Sequence, residues 1–252
     1  MSAPASGARR IFLYNWPVFV STWTAAIIAV GGLVAVGVDR VGLAWQLVAL
    51  AATGGAVWSI VALVVSHVVY DRSVLASASW VPPLLPAASP LRWVAIDAGL
   101  DAEVAIDRVM PAPCAARLDI HDGTHVGSPS VARARAMTPR AHRAMRASAV
   151  SLPLADASCD LVAMIFTAHE IQARAARAAC FREVTRALAP GGRLLLVEHL
   201  RDLPNVLAYG PGAWHFLPRR EWLSLAAGAG LRVAVERRVT PWVTALAFER
   251  IG

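Results

Sequence analysis

Residues Ala187–Asn205 read ALAPGGRLLLVEHLRDLPN, and how this stretch is divided decides the fold. Pro190, Gly191 and Gly192 stop a helix and permit a tight turn. The apolar run Arg193–Val197 that follows has strand length and suits burial on both faces of a parallel sheet. Glu198, His199, Arg201 and Asp202 then crowd the strand's end, where they are either solvated or gathered round a ligand. Upstream and downstream, strands alternate with helices. A strand at Arg92–Ile96 precedes a helix at Asp101–Val109, and a strand at Ala116–Ile120 precedes a helix at Ser130–Ala144. A weak strand at Ala147–Ser151 and a strong one at Asp160–Phe166 come next, with a helix over Ala173–Leu188. After the Arg193–Glu198 strand, a helix at Arg219–Ala229 ends at Gly230, and Leu231–Val239 and Thr244–Arg250 form a closing pair. This alternation predicts an α/β chain with a doubly wound, mainly parallel sheet. Ligands of such sheets bind beyond the carboxyl ends of the strands, which is where Glu198 and His199 fall.

The first third of the chain is different. Of the 252 residues 57% are hydrophobic, and two uncharged runs, Val18–Val38 and Leu43–Val69, carry much of that excess. About 20 helical residues cross the roughly 30 Å hydrocarbon layer, so each run is long enough to span. Asp39-Arg40-Val41-Gly42 between them makes a tight polar turn, which predicts a two-helix transmembrane hairpin. Arg9 and Arg10 before the first run, Arg72 after the second and the Arg-rich remainder place both ends in the cytoplasm of a cell inner (plasma) membrane. Tyr14, Trp16, Trp23, Trp45 and Tyr70 fall near the interfaces, as aromatic belts do. The Gly31-Gly32 and Gly54-Gly55 pairs fit close helix approach and also fit the ordinary tolerance of glycine in spans. The division expected is a hairpin over 1–72, a connector over 73–90 broken by Pro82, Pro83 and Pro86, and an α/β domain over 91–252.

The net charge of +7 rests on arginine alone. It fits a surface held near anionic headgroups. No basic–aromatic pattern or zinc-knuckle spacing points to nucleic acid. Cys114, Cys159 and Cys180 are odd in number with no CxxC, the pattern of reduced core thiols. Nothing in the sequence sets an oligomeric state.

From Ser148 the chain reads SAVSLPLADASCDLVAMIFTAHE and later FREVTRALAPGGRLLLVEH. Leu152-Pro153-Leu154, Ser158-Cys159-Asp160, Arg186-Ala187-Leu188 and Pro190-Gly191-Gly192 follow one another in an order and spacing that resembles the later motifs of class I S-adenosylmethionine-dependent methyltransferases. His169-Glu170-Ile171, Glu198–Asp202 with Asn205, Tyr209-Gly210-Pro211-Gly212 and His215-Phe216 look like a membrane-anchored branch of that family with an EHLRD-type motif. The resemblance implies a Rossmann-like seven-stranded sheet ending in a strand hairpin, with S-adenosyl-L-methionine as cofactor. It places Asp97 towards the cofactor's ammonium group, Gly99 in the turn beneath its methionine part, Asp119 on the ribose hydroxyls, Ser148 at the adenine and Ala149 against the purine ring. The chain departs from the pattern in that turn, where Ile96–Glu103 (IDAGLDAE) keeps only Gly99 at the usual glycine places and adds Asp101 and Glu103. Three functional readings stay open: an anchored methyltransferase, an inactive relative that binds a partner or nucleotide, or a metal-dependent enzyme on the same fold.

Methyl transfer requires a dry pocket, in-line approach and, for a poor nucleophile, a base. His169 and Glu170 follow one strand and Glu198 and His199 follow its neighbour, so all four are expected to converge over the transferable methyl, with His215 reaching in from the Gly- and Trp-rich loop. Imidazole titrates near neutrality, which makes His169 the first candidate base and Glu198 its orienting group. Arg201 and Asp202 are expected to pair locally. His169, Glu170, Glu198 and His199 also have the donor types of a transition-metal site. His121, His125, Asp119 and Asp122 mimic one without a zinc spacing. An anchor in the bilayer suggests a hydrophobic small-molecule acceptor, with Trp214, Phe216, Leu217 and Trp222 as its apolar wall.

Overall fold

The computed structural model describes residues 7–87, 91–98, 106–137 and 144–251. Gly99, Asp101 and Glu103, most of the helix expected at Asp101–Val109 and the second half of that expected at Ser130–Ala144 lie outside the described residues.

Seven strands form one sheet: β1 Trp93–Asp97, β2 Ala116–Asp119, β3 Met145–Arg146, β4 Cys159–Ile165, β5 Leu188–Glu198, β6 Leu231–Thr240 and β7 Val243–Arg250. Their order across the sheet is β3-β2-β1-β4-β5-β7-β6, parallel except for β7, which runs antiparallel to both neighbours. This is the Rossmann-like seven-stranded sheet, closed by a terminal strand hairpin, that the sequence predicts. Side chains alternate between its faces with period two. Val94, Ile96, Leu118, Val162, Met164, Leu194 and Leu196 enter one core with α3 Pro129–Met137, α4 Arg174–Ala187 and α6 Arg219–Gly228. Trp93, Ala95, Leu161, Ala163, Leu195 and Val197 enter the other.

Three expectations change. The third strand is Met145–Arg146, and Ala147–Ser151 instead forms a turn closed by a Ser148–Ser151 bridge. The Pro190-Gly191-Gly192 turn is a bulge inside β5: Cys159 pairs with Leu188 and Leu161 with Arg193, so two steps on β4 match five on β5. Glycine is required in it, because Gly191 has φ +74° and a Cβ on Gly192 would stand 2.8 Å from the Ala189 carbonyl oxygen. The EHLRD segment turns into a short helix, α5 Leu203–Tyr209, and a 3-10 segment, Gly210–His215, which hydrophobic periodicity does not announce.

Helices α1 Gly7–Val36 and α2 Leu43–His67 form the N-terminal hairpin, with α2 prolonged by a wide turn at Val68–Arg72. Both are long and apolar enough to cross a membrane, and their surface is apolar and unburied, with Ile27 72%, Val34 79% and Leu50 69% exposed. A buried pair in a soluble core would hide such residues. α1 kinks at Asn15, two residues before Pro17, and the Tyr14 carbonyl there accepts a 2.5 Å bond from Arg133 Nε of α3. The segment after the hairpin is not a free linker. Leu75, Ala78, Trp80, Val81 and Leu84 are buried in the second core together with Val65 and Val69 of the hairpin. Burying side chains of this size contributes about 1.5–3 kcal/mol each for the larger ones.

Candidate active site

Two groups of residues stand at the carboxyl edge of the sheet. The first lies where β4 and β5 end. Glu198 is buried, and its Oε1 accepts from the backbone N–H of Ala168 (3.0 Å) and His169 (3.3 Å). Its Oε2 lies 2.6 Å from His169 Nδ1. The other ring nitrogen, His169 Nε2, is 3.4 Å from Glu170 Oε1, and His215 Nε2 is 3.4 Å from the same oxygen. The His169 and His215 rings meet edge to face at 5.0 Å. Burial opposes charge on His169, but the charge of Glu198 and the hydrogen bonds to Glu170 and Glu198 outweigh it and raise the ring to about 10. Burial likewise opposes ionisation of Glu170, yet hydrogen bonds to His169 and His215 hold it well below the usual carboxylate range. Two carboxylates, Glu170 and Glu198, thus face the ring of this candidate base.

His199 does not join this cluster. Its ring is stacked between Phe166 (5.1 Å) and Phe216 (4.9 Å), with Tyr70 and Tyr209 edge-on. Nδ1 lies 2.9 Å from the Trp242 carbonyl oxygen and Nε2 lies 2.8 Å from Tyr70 Oη. A neutral ring donating from Nδ1 and accepting at Nε2 satisfies both contacts. Burial drives its pKa down to about 4, in keeping with that tautomer. His199 thus fastens the end of the second apolar helix to β5 and the β6–β7 turn. Asp202, expected to pair with Arg201, instead caps α5 by accepting from the Asn205 N–H and takes Arg238 at 2.5 Å.

The second group surrounds a cavity of about 480 Å³ beyond β2 and β3, lined by His121, Asp122, Gly123, Arg146, Ala147 and Ser148. Small-molecule sites run from about 300 to 1,000 Å³. Ser148 is on its wall. Ala149 is not: the turn sends its methyl into the core and presents Ala147 instead. Asp119 closes β2 beside the cavity, held by a fork from Arg135 (3.0 and 2.9 Å) and by the His121 N–H (3.1 Å). A carboxylate has about four lone-pair positions, so about one remains for a ligand. Arg135 also donates to the Ala98 carbonyl, bridging α3 to the turn after β1. Asp97 is buried in register with Asp119, 3.8 Å from Arg117. Asp122 closes its own loop by accepting from the Thr124, His125 and Val126 N–H groups and pairing with His125, so its carboxylate is committed to the loop rather than to a metal. Sequence reasoning misses Arg135, Ala147 and Tyr70 as site residues; each acts through a contact distant in sequence or a register slip.

Residues 114–196, from the approach to β2 as far as β5, match a family model described as a methyltransferase domain. No curated protein matches the sequence. Among solved structures, an S-adenosylmethionine-dependent methyltransferase from Aquifex aeolicus aligns at TM-score 0.52 and 15% identity, over 73% of this chain and 95% of its own. One from Thermotoga maritima, described as a possible histamine N-methyltransferase, aligns at TM-score 0.50 and 17% identity, over 77% and 100%. At these identities the likeness shows the fold.

Proposed function

We propose that the chain is a membrane-anchored S-adenosylmethionine-dependent methyltransferase whose acceptor is a lipid-soluble or membrane-associated small molecule. The observation that carries the reading is the pairing, on one edge of a methyltransferase sheet, of a nucleoside-sized cavity beyond β2 and β3 with an acid–base cluster beyond β4 and β5. The family match over residues 114–196 and the cofactor dependence of the structural neighbours support it.

The residues present fit the nucleoside half of the cofactor. Asp119 has a lone pair for a ribose hydroxyl, Ala147 and Ser148 offer a wall to the purine, and Asp97 supplies a carboxylate at the end of β1. When bound, the sulfonium supplies the methyl group. On the acceptor side Glu198 orients His169, while Glu170 and the half-exposed His215 face the space an acceptor's acidic oxygen would occupy. Phe216 separates this cluster from His199 and presents an apolar ring to both.

The hairpin supports a lipid-borne acceptor. The stretch Leu43–Arg72 covers 30 residues, about 45 Å at about 1.5 Å per residue, some 15 Å more than the hydrocarbon layer needs. The α/β domain packs against the later half of this stretch: Trp58 Nε1 of α2 donates to the Leu207 carbonyl of α5 at 2.8 Å. Leu203, Leu207 and Trp214 are exposed beside it, an apolar fringe suited to contact with lipid. Cytoplasmic placement of the domain follows from the flanking arginines.

Calorimetric titration of S-adenosylhomocysteine onto the full chain in detergent tests the cofactor site, with saturable one-to-one binding expected. Transfer of labelled methyl from S-adenosylmethionine into a lipid extract tests the acceptor class. Absence of heat at millimolar ligand would favour the second class, an inactive relative.

A further inference from the structure

We propose that His169, Glu170 and His215 form a binding site for one divalent transition-metal cation of the zinc type, with Glu198 as the group that orients the first ligand. His169 Nε2 and His215 Nε2 each stand 3.4 Å from Glu170 Oε1, and the three ligand atoms lie within 4.8 Å of one another. Bonds of about 2.0–2.1 Å at a tetrahedral angle separate ligand atoms by roughly 3.3–3.4 Å. Two edges of the triangle already have that length, and the third closes by rotation of His215, which is 43% exposed on the 3-10 segment.

A second observation points to a ligand. Glu170 is only 6% exposed, yet its Oε2 has no hydrogen-bond partner among the described residues, and its Oε1 has only the two long contacts at 3.4 Å. Buried carboxylate oxygens are normally satisfied. A cation held by both Glu170 oxygens would satisfy this one. The first ligand is also prepared in the way metal histidines are. Its Nδ1 is fixed at 2.6 Å from a buried carboxylate that is itself held by two backbone N–H groups, which aims Nε2 at the centre.

Two imidazoles and one carboxylate select zinc, cobalt or ferrous iron over magnesium or calcium. Three protein ligands leave a position open, on the side of the exposed His215. There the ion would hold an oxygen of the acceptor and favour its deprotonated form. That role rests on the methyltransferase reading; the site itself does not.

The test is a cobalt(II) titration of the tag-free full chain in detergent, stripped by chelator and without S-adenosylmethionine. Expected are visible ligand-field bands that saturate at one equivalent and are displaced by one equivalent of zinc. Glu170→Gln and His215→Ala should each weaken binding about tenfold or more, and Glu198→Gln about 10–100-fold with unchanged stoichiometry. His125→Ala, at the exposed pair with Asp122, should bind as the unaltered chain does. Absence of saturable bands, or equal affinity in the Glu170 and His215 variants, overturns the proposal. So does loss of the bands in His125→Ala. S-adenosylhomocysteine binding is measured separately on the stripped chain, so cobalt bands without nucleoside binding would count against the methyltransferase reading alone.

Discussion

In the proposed cofactor site, Arg135 and the ribose hydroxyls of a nucleoside would compete for the same carboxylate. The guanidinium fork and the His121 N–H take about three of the four lone-pair positions of Asp119. Arg135→Ala should therefore tighten S-adenosylhomocysteine about tenfold by calorimetry; unchanged or weaker binding would show that the arginine does not stand in the ligand's way. His199 makes a second residue-level prediction, through pH. Its folded pKa, about 4, lies below the unfolded value of about 6.5, so between those limits the unfolded chain binds the extra proton. The stability it contributes is complete above about pH 6.5 and is lost as pH falls towards 4, by up to roughly 3 kcal/mol. Thermal unfolding in detergent across that window measures it. Tyr70→Phe, which removes the phenol from Nε2, should cost about 1 kcal/mol at neutral pH.

Among the elements, α5 and the 3-10 segment after it join the hairpin to the sheet. Gly210 starts that segment at φ +53° and ψ −131°, a backbone conformation side chains avoid, and a Cβ there would stand 3.1 Å from the Trp58 ring. Gly210→Ala should cost about 1–3 kcal/mol and push Trp58 off the Leu207 carbonyl. A lower melting temperature with raised proteolysis at residues 203–215 is the expected reading. The sequence announces some elements far better than others. β4, β5 and the β6–β7 pair are long apolar or alternating runs bounded by Gly and Pro, and they fall within a few residues of their expected places. β3 is two exposed residues after an arginine-rich stretch, with no periodicity to find. α5 is seven residues long and defined by its Asp202 cap and Leu203-Pro204 start, a signal easily taken for a loop. At the site, the meeting of His169, Glu170 and Glu198 is legible because adjacent strands end together. The departure of His199 is not, since it depends on Tyr70, 129 residues earlier, and on the Trp242 carbonyl.

At the scale of the whole molecule, hairpin and sheet share a core. Val65 and Val69 belong to the same buried cluster as Trp80, Leu84 and Leu195 and as Ala245 and Ala247 of β7, and Tyr70 reaches His199. Removing residues 1–72 takes two buried valines and the His199 partner out of that core. The remaining chain should unfold at least about 10 °C lower than the full chain in the same detergent, since a loss of 1 kcal/mol moves the midpoint of a domain this size by roughly 2–4 °C. Equal melting temperatures would show that the two parts are energetically independent. The shared core also has a consequence for selectivity. With no slack between hairpin and sheet, an edge anchored as proposed would be held at one set elevation relative to the acyl chains. On the function proposed above, the protein would then work as a depth gauge: among chemically equivalent acceptors, it would favour those whose reactive atom projects from the bilayer to that elevation.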